Sequence, residues 1–143
     1  MPKSAVASLL IFEIMNSQPF TVTDKESVRT VIETLISKKI SGAPLVDSNN
    51  KIITVVSEAD LMKFAAMGGL DEPLAKFINK LTPTRNLVTV KADDSFAEVF
   101  KRFLTKPVRR VIVVDIDNKL VGIVSRRDII KAFLKTEKNI KKS

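Results

Sequence analysis

The residues with the most chemistry to offer are two serine–aspartate pairs, Ser57-x-x-Asp60 and Ser125-x-x-Asp128, each set directly after an apolar run. A serine followed three positions later by an acid at a helix start has two readings. In one it is a capping box, in which hydroxyl and carboxylate satisfy orphan amides and add about 0.5–2 kcal/mol. In the other it is a binding element. Free amides and the positive end of the helix dipole favour a phosphate, the hydroxyl adds a donor, and an ionised carboxylate one turn in accepts both hydroxyls of a ribose. Hydrogen bonds to such a charged acceptor are worth about 1.5–3 kcal/mol each. A single copy leaves both readings open, and a second copy at a fixed spacing adds some weight to the binding one.

The spacing belongs to an internal duplication. An offset of 68 positions carries Ser57 and Asp60 onto Ser125 and Asp128, and also Thr21-Val22 onto Thr89-Val90, Ser27 onto Ser95, Val46-Asp47 onto Val114-Asp115 and Asn50-Lys51 onto Asn118-Lys119. A half of this size is marginal alone, so the two are expected to share a core.

The elements that must position the pairs repeat in the same order. Phe20 to Thr23 is a short β-rich run. Val28, Val31, Ile32, Leu35 and Ile36 fall on one face of a helix that ends near Lys39. Ala43 to Val46 reads as a buried strand, Asp47 to Asn50 as a hairpin turn, Ile52 to Val56 as the return strand, and Ser57 opens a helix to about Ala66. Gly68 to Pro73 is a linker, followed by a helix from Pro73 to Leu81 that Thr82-Pro83-Thr84 ends. The second half gives a strand Leu87 to Val90 and a helix from Ser95 with the stripe Phe96, Val99, Phe100, Phe103 and Leu104. Strands Val111 to Asp115 and Leu120 to Val124 and a helix from Arg126 to about Leu134 complete it. The class is α/β, each half running β-α-β-β-α.

Composition narrows the chemistry. With 45% hydrophobic and 28% charged residues, 4 Gly and 6 Pro among 143, the chain is of soluble globular type. The absence of Cys excludes disulfides and thiolate metal sites and suits a reducing cytoplasm. The absence of His removes the usual general base and the commonest neutral metal ligand. Half of the formal charge of +8 lies after Ile130, where Lys131, Lys135, Lys138, Lys141 and Lys142 face only Glu137. Such a tail reads as a solvated helix end. Ala5 to Phe12 is apolar but interrupted by Glu13, too short to span a bilayer and without a small-x-small cleavage site. It reads as an arm or short helix packed on the core or on another chain.

Thr21-Val22-Thr23, Ser41-Gly42-Ala43-Pro44-Leu45-Val46-Asp47 and Ser57-x-x-Asp60 resemble the cystathionine β-synthase (CBS) domain. So do Leu87-Val88-Thr89-Val90, the run from Arg109 to Asp115 and Gly122-Ile123-Val124-Ser125-Arg126-Arg127-Asp128. The resemblance covers Ile14 to Leu134 and is to a tandem pair, a Bateman module. It implies an α/β fold of two tandem β-α-β-β-α CBS repeats packed as a pseudo-two-fold pair. The expected divisions are an arm (1–13), a first repeat (14–67), a linker with a short helix (68–81), a second repeat (82–135) and a basic tail (136–143), in a stand-alone module.

The resemblance also implies crossed sites, in which the base is sheltered by the first strand and the post-helix strand of the opposite repeat. One site would join Ser125, Arg127 and Asp128 with Thr23, Gly42 and Ala43. The other would join Ser57 and Asp60 with Val90, Arg110 and Val111. Thr54 stands where the second half has Gly122, and Arg110 and Ile112 stand where the first has Gly42 and Pro44. Both departures crowd the Ser57/Asp60 site, so the Ser125/Asp128 site is expected to be the tighter. The implied role is regulatory, not enzymatic: an adenosyl compound (AMP, ADP, ATP or S-adenosylmethionine) is the ligand, with no covalent cofactor and no metal. A cytoplasmic homodimer is implied, with Met62, Phe64, Met67 and Phe77 as candidates either for its interface or for the core, together with a regulated protein partner and no membrane. The alternative is nucleic-acid binding through the tail and Arg109, Arg110, Arg126 and Arg127, a reading weakened by the absence of Trp and Tyr for stacking.

Overall fold

The computed structural model describes residues 4–81 and 87–142. The expected stop at Thr82-Pro83-Thr84 lies outside them. The chain divides into two compact units, Phe20–Arg85 and a second made of Met1–Pro19 with Asn86–Ser143.

In the first unit, α2 (Val28–Lys38) is capped by the Ser27 hydroxyl, which accepts from the Thr30 amide, and ends on Lys39 in the left-handed conformation at φ 56°. Its first amides are satisfied from the linker: Val28 donates to the Glu72 carbonyl at 3.0 Å and Arg29 to that of Leu70 at 2.8 Å. Strands β1 (Gly42–Val46) and β2 (Ile52–Ser57) pair antiparallel, with Gly42 opposite Ser57, and lead into α3 (Glu58–Ala66). The expected strand at Phe20 to Thr23 is reduced to one parallel bridge, Val22 to Leu45. The cause is Pro44. In the second unit the Ile112 amide donates to Val88 at 2.9 Å, but Pro44, at the matching position, has no N–H to extend the ladder.

The second unit repeats the plan more fully. Strand β3 (Thr89–Lys91) pairs parallel with β4 (Arg110–Val114), which pairs antiparallel with β5 (Leu120–Ser125). Helix α4 (Phe96–Thr105) follows β3, and α5 (Arg126–Lys142) follows β5, running past the expected end near Leu134 because no Gly or Pro interrupts it. The N-terminal arm forms α1 (Ser4–Ala7) and a 3-10 turn, Ile11–Glu13. Val6 and Ile11 are buried in this unit's core with Phe96, Val111 and Val124.

Each unit has a buried cluster of its own. Additional apolar segments make this feasible: the arm in the second unit, and in the first a 3-10 helix, Leu74–Lys80, that buries Leu74 and Phe77. A helix was expected there, and it takes the 3-10 form. Buried residues three apart suit the three-residue turn of a 3-10 helix.

Both hairpin turns use the same device. The Asp47 carboxylate accepts from the Asn49 and Lys51 amides, and that of Asp115 from Asp117 and Lys119 at 2.9 and 3.0 Å. Asn50 and Asn118 both sit at φ 64°, a left-handed conformation that Asn tolerates. The Lys119 amide is the main reason that the Asp115 carboxyl lies below its ordinary value of 3.8. A depressed carboxyl stabilises the fold above its unfolded pKa and loses that contribution as pH falls through the folded one. Asp115→Asn is therefore expected to lower the thermal midpoint at neutral pH, with the gap from wild type closing as pH falls below 3.8. A gap independent of pH would contradict this.

Candidate functional site

Both serine–aspartate pairs form capping boxes in the structure. In α3, Asp60 Oδ2 accepts from the Ser57 amide at 3.0 Å and from Ser57 Oγ at 2.9 Å, while the Asp60 amide donates to Ser57 Oγ at 3.2 Å. In α5 the corresponding distances for Ser125 and Asp128 are 2.8, 3.0 and 3.3 Å. The first helical amides are also engaged, Glu58 with the Ser41 carbonyl at 3.0 Å and Arg126 with that of Arg109 at 3.3 Å.

The copies differ in accessibility. Asp60 is fully buried, at 0% exposure, whereas Asp128 is half-buried. All three capping bonds of the second pair fall on Asp128 Oδ2 or its amide, and Oδ1 carries no hydrogen bond among the described residues. The bland reading and the chemical one thus coexist at Asp128: one oxygen holds the helix start and the other is available.

Asp60→Ala is consequently expected to act mainly on stability. It removes the acceptor for a half-buried amide and hydroxyl, at a cost of about 1–3 kcal/mol in chemical denaturation. A loss below about 0.5 kcal/mol would show that the box contributes little.

The remaining predicted residues fall into two sets, one per unit. Thr23, Gly42 and Ala43 share a unit with Ser57 and Asp60; Gly42 lies opposite Ser57 and Ala43 opposite Val56, with both strand residues buried. The Thr23 amide donates to Glu26 Oε2 at 2.7 Å. Val90, Arg110 and Val111 share the other unit with Ser125, Arg127 and Asp128. Arg110 lies opposite Ser125 and Val111 opposite Val124; Val90 and Val111 are buried and Arg127 is exposed. Burial first, and then the neighbouring Arg109 charge, lowers the Arg110 pKa from its ordinary value. An anion placed beside it would offset both effects.

Two readings from sequence need correction. Ile36 and Leu104, the last members of their stripes, are exposed at 72% and 69%. Each helix buries a narrower strip than its periodicity suggests, because the stripe wraps beyond the side facing the sheet. Of the candidate interface residues, Phe64 and Phe77 are core, stacked at 4.7 Å, which leaves Met62 and Met67 exposed.

The arm packs on the core, one of its two expected places, but its strand-like contact was not foreseen. Asn16 exchanges both backbone bonds with Ile123 at 2.9 and 3.0 Å, and a Cβ on Gly122 would come within 2.5 Å of Met15 Sδ. The small residue at 122 therefore makes room for the arm. A signal existed: Leu10 bridges Ser95 as Pro73 bridges Ser27, so Ile11 and Ile14 correspond to Leu74 and Phe77 at an offset of 63, shorter than that of the main repeat.

Among the described residues, no group of three or more acidic, His or Cys side chains is placed to hold a metal ion. No described helix is long and apolar enough to cross a membrane.

Comparison with known proteins gives a consistent picture. The CBS domain family matches twice, at residues 11–66 and 78–135. An A-adding tRNA nucleotidyltransferase of Aquifex aeolicus is 30% identical over 91% of this chain, which spans 15% of the enzyme. The chloroplastic CBSX2 of Arabidopsis thaliana is 26% identical over 85% of the chain, which spans 61% of that protein. Its structure in complex with AMP aligns at a TM-score of 0.72 and 27% identity, covering 90% of this chain and 98% of the other. The CBS domain pair of MJ0100, in complex with 5′-methylthioadenosine and S-adenosylmethionine, aligns at 0.69 and 26% identity, covering 87% and 99%.

Proposed function

The chain belongs to the CBS domain family, and from that premise we propose that it is a regulatory module that binds an adenosyl compound and passes its occupancy to another protein. The observation that carries this reading is Asp128, half-buried at the start of α5 with Oδ1 unused among the described residues. A ribose needs such an acceptor. The exposed Arg127 beside it suits a phosphate. Ser57 and Asp60 form the weaker candidate, since Asp60 is buried and its Oδ2 is held by Ser57.

The ligands found in CBSX2 and MJ0100 support an adenosyl compound and leave its substituent open. The chain performs no reaction in this proposal; it pairs with itself and acts on another protein through its shape. A thermal-shift panel of adenine nucleotides, guanine nucleotides and S-adenosylmethionine tests it. A ligand at about 100 times its dissociation constant adds about 2.7 kcal/mol. Stabilisation by adenosyl compounds and not by guanine nucleotides is expected, and no shift from any member of the panel would reject the reading.

The exposed Arg109, Arg126 and Arg127 keep nucleic-acid binding as a second reading. Salt separates the two, because phosphate-backbone binding collapses between about 50 and 200 mM salt while a buried ribose contact does not.

A further inference from the structure

Helices α4 and α5 lie side by side in the second unit, tied by Phe133 of α5, which meets Phe96 and Phe100 of α4 edge to face at 5.3 and 5.7 Å. Their outer side carries aliphatic groups that the core does not use. Leu104 of α4 and Ile130 and Leu134 of α5 are 69%, 62% and 63% exposed. Ile130 and Leu134 are four residues apart and therefore neighbours on one helix face. Leu104 joins them through the duplication. Its counterpart Ile36 and the counterpart of Ile130, Met62, line one groove between α2 and α3.

The charges around these aliphatic groups are almost all of one sign. Lys101, Arg102, Arg126, Arg127, Lys131 and Lys135 are exposed, and among the described side chains of the two helices Glu98 is the only exposed acid. None of the six cations makes an ion pair among the described residues; the two pairs found there, Arg29 with Asp71 and Lys76 with Glu72, belong to the first unit. Lys101 stands three residues before Leu104, Arg127 three before Ile130 and Lys131 three before Leu134, so a cation neighbours each aliphatic side chain. The fold does not require this. In the first unit α2 and α3 expose Arg29, Lys38 and Lys63 against Glu33 and Glu58, which is close to balance.

We propose that the α4–α5 face rests on an anionic lipid surface. Leu104, Ile130 and Leu134 enter the boundary between headgroups and acyl chains, and the flanking lysines and arginines meet lipid phosphates. Both kinds of side chain are needed for that choice. Cations alone would fit any polyanion, but a phosphate backbone gives exposed aliphatic chains nothing to bury against. The helices lie along the surface and do not cross it. The proposal goes beyond the ligand reading and does not depend on it.

Co-sedimentation of the full chain with vesicles tests it, one set of phosphatidylcholine alone and one of equal parts phosphatidylcholine and phosphatidylglycerol. The chain is expected to pellet with the mixed vesicles and not with the neutral ones, and to be released as salt screens the charges. Lys131→Gln combined with Lys135→Gln is expected to weaken binding about 25-fold, about fivefold for each lysine near the surface. Leu134→Ser, and separately Leu104→Ser on the other helix, should each weaken it at least about tenfold through lost burial of the side chain. All four positions are exposed, and circular dichroism checks that every variant is folded. Failure to pellet with the mixed vesicles, or equal pelleting with both sets, overturns the proposal. Loss of binding in the lysine variant with none in either serine variant also overturns it, and leaves a bare electrostatic patch that nucleic acid fits as well.

Discussion

Replacing Asp128 with alanine is expected to weaken binding of the adenosyl ligand about 10–100-fold, the range set by loss of one or two charge-assisted hydrogen bonds. The same change removes the acceptor for the Ser125 amide, now bonded at 2.8 Å, so a stability loss of about 1 kcal/mol accompanies it. Calorimetric titration well below the unfolding midpoint keeps the two effects apart. Asp60→Ala provides the contrast: its carboxylate is buried and committed to Ser57, so the affinity should change less. An unchanged dissociation constant in Asp128→Ala would reject the assignment of the ribose acceptor. A larger loss in Asp60→Ala would reverse the ranking of the two sites.

Phe96→Ala should cost about 3–5 kcal/mol of folding stability, the range for removing a fully buried aromatic ring. Phe96 is 0% exposed, stacked on Phe100 at 5.7 Å and meeting Phe133 edge to face at 5.3 Å. Its amide is also the first of α4, donating to the Leu9 carbonyl of the arm at 2.7 Å. The lost ring would thus leave a cavity beside three elements at once: α4, α5 and the arm. Urea denaturation gives the value directly, and a loss under about 1 kcal/mol would mean that the site collapses or that the ring is not central to this core.

The duplication itself was legible because polar residues with fixed backbone tasks recur in register. Asn50 and Asn118 hold the same left-handed φ, Asp47 and Asp115 accept from the same turn amides, and Ser57 and Ser125 begin the same box. Local pattern specifies such features, since each is settled within about four residues. Burial was less legible. Periodicity put Ile36 and Leu104 on the core side of their helices but could not say how wide the covering sheet is. Phe64 and Phe77 looked like interface residues because their stacking is a contact between α3 and the 3-10 helix beyond the linker. The bond from Asn16 to Ile123 escaped for the same reason, being a strand pairing between segments far apart in the chain. At the candidate site the residue types were readable, whereas the difference between a buried Asp60 and a half-buried Asp128 depends on what packs around each.

The arm's address has a consequence for biosynthesis. Residues 1–19 belong to the unit completed by 86–143, so the unit formed by 20–85 is an insertion within it. At translation speeds of about 5–20 residues per second, Ile11 leaves the ribosome several seconds or more before the strands that bury it exist. The inserted unit can mature first, being one continuous stretch of chain, while the arm remains a nascent apolar tether awaiting β4 and β5. Truncated chains released before Val111 is made should therefore expose Val6 and Ile11 and be the ones that chaperones capture.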